Sequence, residues 1–137
     1  LWDKERNTMV NNESVDIIRM LNSAFDAMGD ASVDFYPTQL RAEIDALNDR
    51  IYESLNNGVY RTGFATTQAA YEAAVTDVFN CLDELEQRLE EQAYLLGERI
   101  TETDWRAFVT LIRFDIAYYG LFKCNLRRLI DYPNLSA

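Results

Sequence analysis

The chain contains no histidine. That absence excludes Ser-His-Asp and Cys-His catalysis, histidine metal ligation and imidazole pH switching together. Cysteine is nearly as scarce: Cys81 and Cys124 are too few for a disulfide scaffold, and no C-x-x-C metal spacing occurs. Both read as reduced thiols packed in a core. Positive charge is in short supply, with 13 Lys and Arg against 23 Asp and Glu and a formal charge of −10. Nucleic acid is attracted mainly through Lys and Arg on phosphates, so this balance argues against that partner, and it disfavours adsorption to anionic lipid. No apolar run approaches the ~18 residues of a membrane span, and Leu1-Trp2-Asp3-Lys4 lacks the features of a signal peptide. Chemistry on this chain must therefore use carboxylates, tyrosines, thiols or a group supplied from elsewhere.

What is present suits a globular protein of about one domain: 137 residues, 48% hydrophobic and 26% charged. Leu1, Trp2, Thr8, Met9 and Val10 are strand formers around a polar turn, which predicts a short hairpin over residues 1–10. Two such strands do not stand alone in water and read as the edge of a sheet, where unpaired edges invite association. Asn11-Asn12-Glu13-Ser14 opens a helix with Val15, Ile18, Leu21 and Phe25 at helical spacing, and Gly29 is placed to end it in the left-handed conformation. Residues 30–37 read as a linker, with Pro37 suited to the start of the next helix.

Every long segment beyond the linker is helical. Leu40, Ile44, Leu47, Ile51 and Leu55 form a stripe over 38–56, stopped by Asn56-Asn57-Gly58. Thr66 or Thr67 caps a helix with Tyr71, Val75, Val78, Leu82, Leu85 and Leu89 as its stripe. Thr101-x-x-Asp104 has capping-box form and opens a helix whose Trp105, Phe108, Val109, Leu111 and Ile112 predict burial on most sides. A short helix is expected over Asn125–Asp131, before Pro133. The expected architecture is mainly α: a hairpin and helix (1–29), a linker (30–37) and an all-helical bundle (38–137).

Few residues are candidates for chemistry. Glu13 and Ser14 lie at a helix start, where a carboxylate can pair with an ammonium group and a hydroxyl with backbone N–H groups can hold a carboxylate. The plain alternative is that Asn12 or Ser14 only caps the helix. Tyr60, Tyr118 and Tyr119 are phenols able to pass a proton or to stabilise a thiolate, although with eight tyrosines packing is the default role of each. Arg113 and Asp115, two apart on a helix, do not face each other and need other partners. Lys123 precedes Cys124, but no activating base is evident, and both cysteines remain packing residues. The acidic run over residues 83–91 reads as a solvated helix face.

Beyond spacing, Leu1-Trp2-Asp3, Val10-Asn11-Asn12-Glu13-Ser14, Ile17-Ile18-Arg19-Met20 and the Thr101/Asp104 box resemble the end of the thioredoxin-like domain and the helical domain of a glutathione transferase. Asn56-Asn57-Gly58-Val59-Tyr60, Gly63-Phe64-Ala65-Thr66, Arg113-Phe114-Asp115, Phe122-Lys123-Cys124-Asn125 and Asp131-Tyr132 resemble the Xi class, the glutathionyl-hydroquinone reductases. The resemblance covers essentially the whole chain. It implies that residues 1–29 close a truncated thioredoxin-like domain. It also implies a cytoplasmic homodimer that uses glutathione as co-substrate, needs no metal, and removes glutathione from glutathionyl-hydroquinones. In that reaction a Cys-Pro-Trp cysteine attacks the thioether sulfur and is regenerated by a second glutathione. By the same resemblance, Glu13 and Ser14 bind the γ-glutamyl end of glutathione, Tyr60 donates or accepts a proton, and Tyr118 helps to lower the nucleophile's pKa.

The departures are as specific. The Cys-Pro-Trp nucleophile, the family's cis-proline, its last helices and a second pKa-lowering tyrosine have no counterpart here, and Leu121 stands where many members carry His. The resemblance thus implies part of a longer reductase, inactive alone, in which neither Cys81 nor Cys124 replaces the missing thiol. A transferase-like helical module without catalysis is the alternative.

Overall fold

The computed structural model describes residues Leu1–Ala137. Its two strands, β1 (Trp2–Asp3) and β2 (Thr8–Met9), pair antiparallel with Trp2 opposite Met9 and Asp3 opposite Thr8. Asn7, with φ of 50°, and the Asp3 carboxylate, which accepts from Glu5 N (2.9 Å) and Arg6 N (3.0 Å), shape the turn. Helix α1 follows (Ser14–Leu21).

This helix is shorter than its apolar spacing predicts, and Gly29 does not end it. Asn22 closes it, still in the helical region with its N–H on the Ile18 carbonyl, while its side chain ties to the linker, Oδ1 accepting from Phe35 N and Nδ2 donating to Asp34, each at 2.8 Å. Gly97, not Gly29, is the glycine with positive φ (109°).

A 3₁₀ turn (Thr38–Leu40) after Pro37 leads into α2 (Arg41–Ile51), which runs on as a π turn (Tyr52–Asn56). That helical run ends at Asn56 as expected, and after Asn57 a separate helix, α3 (Gly58–Gly63), begins at Gly58. A Cβ at Gly58 would lie 2.9 Å from Val78 Cγ2, so this glycine also permits close helix packing. Thr67 caps the long α4 (Gln68–Glu91), its hydroxyl accepting from Ala70 N at 3.2 Å. The core gathers on α2, α3 and α4: Ile44, Ile51, Leu55, Val59, Val78, Leu82 and Leu85 have no exposed surface. Burying a side chain of this kind contributes roughly 1.5–3 kcal/mol. No helix is long and apolar enough to cross a membrane.

Helix α5 (Glu102–Leu111) starts at the expected capping box. The Asp104 carboxylate accepts from Thr101 N (2.7 Å), Thr101 Oγ1 (2.9 Å) and Leu95 N (2.9 Å), so it also fastens the preceding loop. The expectation that α5 is buried on most sides fails. Trp105 (47% exposed), Phe108 (47%), Val109 (49%) and Ile112 (56%) all face outward. The face packed on the bundle is instead Glu102, Thr103, Ala107 and Thr110. Asn56 explains part of this, since its Nδ2 donates to Thr110 Oγ1 (2.6 Å) and to the Arg106 carbonyl (3.1 Å) and fixes which side turns inward.

A π turn (Phe114–Tyr118) continues beyond α5, and the helix expected over Asn125–Asp131 shrinks to a 3₁₀ turn at Leu129–Asp131. The Asp115 carboxylate takes the Leu129 and Ile130 N–H groups (2.5 and 3.3 Å), and Arg113 donates to the Val109 carbonyl (2.6 Å), so each has a separate partner as expected. The acidic run on α4 is more than a solvated face. Glu86 accepts from Asn134 N, Asn134 Nδ2 and Leu135 N at 2.8–2.9 Å, and Asp83 holds Arg127.

Candidate functional site

The tyrosines come together. Tyr60, within α3 and not beyond a helix end, places its hydroxyl 3.0 Å from that of Tyr118 on the π turn. The rings meet edge to face at 5.6 Å. Phe122 packs on both, with centroids at 5.3 Å from Tyr60 and 5.4 Å from Tyr118, and Phe64 stacks beside Tyr60 at 6.5 Å. Tyr118 is 3% exposed and Tyr60 39%, so the pair joins an inner phenol to an outer one. Burial, reinforced by the Tyr60 hydroxyl, pushes the Tyr118 phenol up to about 12. It therefore stays a hydrogen-bond donor through the physiological range. Tyr119 is not part of this pair; Arg128 stacks over its ring.

Two local features seat this cluster. A Cβ on Gly63 would fall 2.3 Å from Phe122 Cδ1, so only a bare backbone lets Phe122 settle against the tyrosines. Lys123 has φ of 59°, a conformation costly for a residue with a side chain, and its carbonyl accepts from Tyr71 Oη at 2.9 Å. Neither requirement was visible from composition or helical period. Cys124 follows, fully buried, with its thiol pushed up to about 11 by burial, and burial pushes Cys81 up to about 12. Both behave as packing residues, since a reactive thiolate needs a lowered pKa.

Glu13 and Ser14 lie elsewhere. Glu13 is the residue before α1 and makes no side-chain cap; its N–H donates to Asn11 Oδ1 at 2.6 Å. The two residues rim a cavity of about 630 Å³ whose wall also includes Arg19, Asp45, Asn48, Tyr52 and Arg106. The tyrosine pair is not among its lining residues. Glu13 and Ser14 thus present free polar groups to an open space, as ligand binding requires.

Sequence reasoning missed the polar cluster beneath that cavity. Glu102, 2% exposed, receives Arg19 (2.8 Å from Nη2, 3.2 Å from Nε) and Asn48 Nδ2 (2.8 Å). Arg19 also pairs with Asp45 and lies over the Tyr36 ring, 3.8 Å from its centroid. The Tyr36 hydroxyl reaches both Asp45 oxygens at 2.8–2.9 Å. Burial works against the Asp45 charge, but the Tyr36 hydroxyl and Arg19 outweigh it and hold the carboxyl below its usual range. The Glu102 bond raises the Arg19 guanidinium further above its normal value. A polar residue on an otherwise apolar α1 spacing was the one available signal. No group of His, Cys, Asp or Glu is arranged to hold a metal.

Comparison with known proteins identifies the family. The family described as "Glutathione S-transferase, C-terminal domain" matches residues 68–137. Glutathionyl-hydroquinone reductase PcpF of Sphingobium chlorophenolicum is 59% identical over 136 residues, covering 99% of this chain and 44% of the relative. Glutathionyl-hydroquinone reductase YqjG of Escherichia coli is 53% identical over 135 residues, 98% of this chain and 41% of the relative. The glutathione-bound structure of YqjG superposes with a TM-score of 0.95 at 52% identity, covering 98% of this chain and 44% of that one. The Xi glutathione-S-transferase of Phanerochaete chrysosporium gives 0.94 at 56%, over 98% and 46%. The chain spans less than half the length of these relatives. It belongs to the glutathione S-transferase family, and its close homologues there are glutathionyl-hydroquinone reductases and Xi-class transferases.

Proposed function

We propose that the chain is the part of a glutathionyl-hydroquinone reductase that holds the γ-glutamyl end of glutathione and supplies the tyrosines. The observation that carries the reading is the Tyr60–Tyr118 hydroxyl pair at 3.0 Å, walled by Phe64 and Phe122, a fitting surface for an aromatic ring undergoing proton transfer. Residues 1–29 close a thioredoxin-like domain, 30–37 link it to the helical domain 38–137, and the whole protein is a cytoplasmic homodimer.

In the reaction, a cysteine thiolate outside this chain attacks the sulfur that joins glutathione to the hydroquinone ring. The carbon–sulfur bond breaks, its electron pair goes to the ring carbon with one proton, and the cysteine is left in a mixed disulfide with glutathione. A second glutathione thiolate cleaves that bond, giving glutathione disulfide and the free cysteine. Tyr60, the exposed member of the pair, delivers the proton. Tyr118, which keeps its own proton, donates to the phenolate oxygen that Tyr60 then bears, and a protonated phenol at this position equally stabilises a nearby thiolate. Glu13 takes the glutathione ammonium group, and Ser14 with the backbone N–H groups of α1 takes the adjoining carboxylate.

The test is turnover of a glutathionyl-hydroquinone by the full-length protein. Tyr60→Phe should lower kcat by about 10²–10⁴, the usual share of a general acid, while glutathione binding holds. Unchanged kcat would remove Tyr60 from the chemistry. Absence of turnover in the unsubstituted protein would favour a second reading, a helical interaction module, which the outward-facing Trp105, Phe108, Val109 and Ile112 support.

A further inference from the structure

Among the eleven arginines, Arg106 alone has no hydrogen bond from its guanidinium, no carboxylate within 4.0 Å and no aromatic ring beneath it. In a protein of formal charge −10 a guanidinium left without a carboxylate is unexpected. Nor does Arg106 stand out in bulk solvent: it is half-buried, on the inward side of α5, and it lines the cavity rimmed by Glu13 and Ser14. The other cation on that wall, Arg19, is already taken by Glu102 and Asp45. Asp45 feels the Arg106 charge, but at a range too long for an ion pair. Deeper in the same wall, Asn48 Oδ1 is buried with no donor.

A cavity with a free carboxylate at one edge, a free guanidinium at another and hydroxyls between them suits a zwitterion. We propose that Arg106 is a ligand-binding residue that receives the α-carboxylate of the γ-glutamyl end of glutathione, so that Glu13 and Arg106 grip the two charges of one amino-acid head. The inference rests on the glutathione reading above and adds to it a residue from the helical bundle. Arginine suits the task because its planar fork matches a carboxylate and never loses its charge. Ser14 and the α1 N–H groups alone would offer that carboxylate only partial charges. The head group would then bridge α1 and α5, two elements that also meet through Arg19 and Glu102.

The experiment is calorimetric binding to the full-length protein of glutathione and of 4-aminobutyryl-cysteinyl-glycine, the same peptide without the α-carboxylate. The unsubstituted protein should prefer glutathione by about 10–100-fold, the range for hydrogen bonds between charged groups. Arg106→Gln should cut that preference to the few-fold that Ser14 and the α1 N–H groups supply, while Arg106→Lys should restore part of it. The Arg106 guanidinium makes no hydrogen bond or ion pair within the fold, and the carbonyl that Asn56 uses is kept in both variants, so the thermal midpoint of either should match that of the unsubstituted protein. If Arg106→Gln keeps the preference for glutathione undiminished, the Arg106 assignment is overturned and the glutathione reading stands. If the unsubstituted protein binds neither peptide, both fall together.

Discussion

The bundle of α2, α3 and α4 and the segment of hairpin plus α1 are held by opposite means. In the first, Ile44, Ile51, Leu55, Val59, Val78, Leu82 and Leu85 are withdrawn fully from water. In the second, α1 has no buried residue at all, and Trp2, Met9, Ile18, Leu21 and Phe25 stay exposed. What attaches it to the rest is polar: Arg19 on Glu102 and Asp45, with Asn22 on Asp34 and Phe35 N. Apolar burial is non-directional and tolerates small shifts, whereas an ion-pair cluster demands its geometry and fails when one partner goes. The tyrosine pair is built on the first region and the Glu13–Ser14 rim on the second. The two halves of the proposed site therefore differ in how firmly they are held.

The contrast can be broken most completely with alkali. Cys81, Cys124 and Tyr118 are all raised by burial, to about 12, about 11 and about 12. A raised acid group favours folding fully below its unfolded pKa, near 8.5 for a thiol and 10 for a phenol. That stability is lost as pH climbs towards the folded values. The denaturant midpoint should hold to about pH 8.5 and fall steadily above it. A midpoint flat up to pH 11 would mean that these groups are not sequestered.

Within the bundle, Leu82→Ala should cost about 2–5 kcal/mol, the range for a fully buried leucine, measured by urea unfolding. Arg19→Ala should cost less, about 2–3 kcal/mol, because it strands the buried Glu102 while Arg19 itself is partly exposed. Its signature is location: amide exchange should speed up in residues 14–21 and stay slow in α4. Uniform acceleration would show that the two regions share one cooperative unit. Gly63→Ala should be the mildest, about 1–2 kcal/mol for overpacking against Phe122. It should nevertheless disturb the tyrosine pair, seen as an altered ring-proton spectrum of Tyr60 and Tyr118. An unshifted spectrum would leave the Gly63–Phe122 contact without a positioning role.

The sequence made the bundle legible because one apolar stripe per helix is a repeated, redundant signal. The α4 stripe and the Thr67 cap stand where the spacing puts them. The α5 expectation failed for a physical reason: apolar residues around a helix state a preference for burial, not what is there to bury them. Contacts decided by a single distant partner were also hidden, as with Asn22 on Phe35 N and bare Gly58 against Val78. For the site, motif resemblance named Glu13, Ser14, Tyr60 and Tyr118, and the fold brings the tyrosines into contact. The Arg19–Glu102 pairing was out of reach because the two residues are 83 apart in the chain and nothing local in either signals the other.

Both tryptophans lie outside the buried core. Trp2 is in β1, 56% exposed, and Trp105 is on the outer face of α5, 47% exposed, edge to face with Phe35 at 6.2 Å and Phe108 at 6.3 Å. The bundle core holds none, so indole emission follows the hairpin and the outer side of α5. Indole emission is thus a built-in reporter of the periphery, and a gap between its melting curve and the helical signal of the bundle would read how far the outer segments let go before the core does.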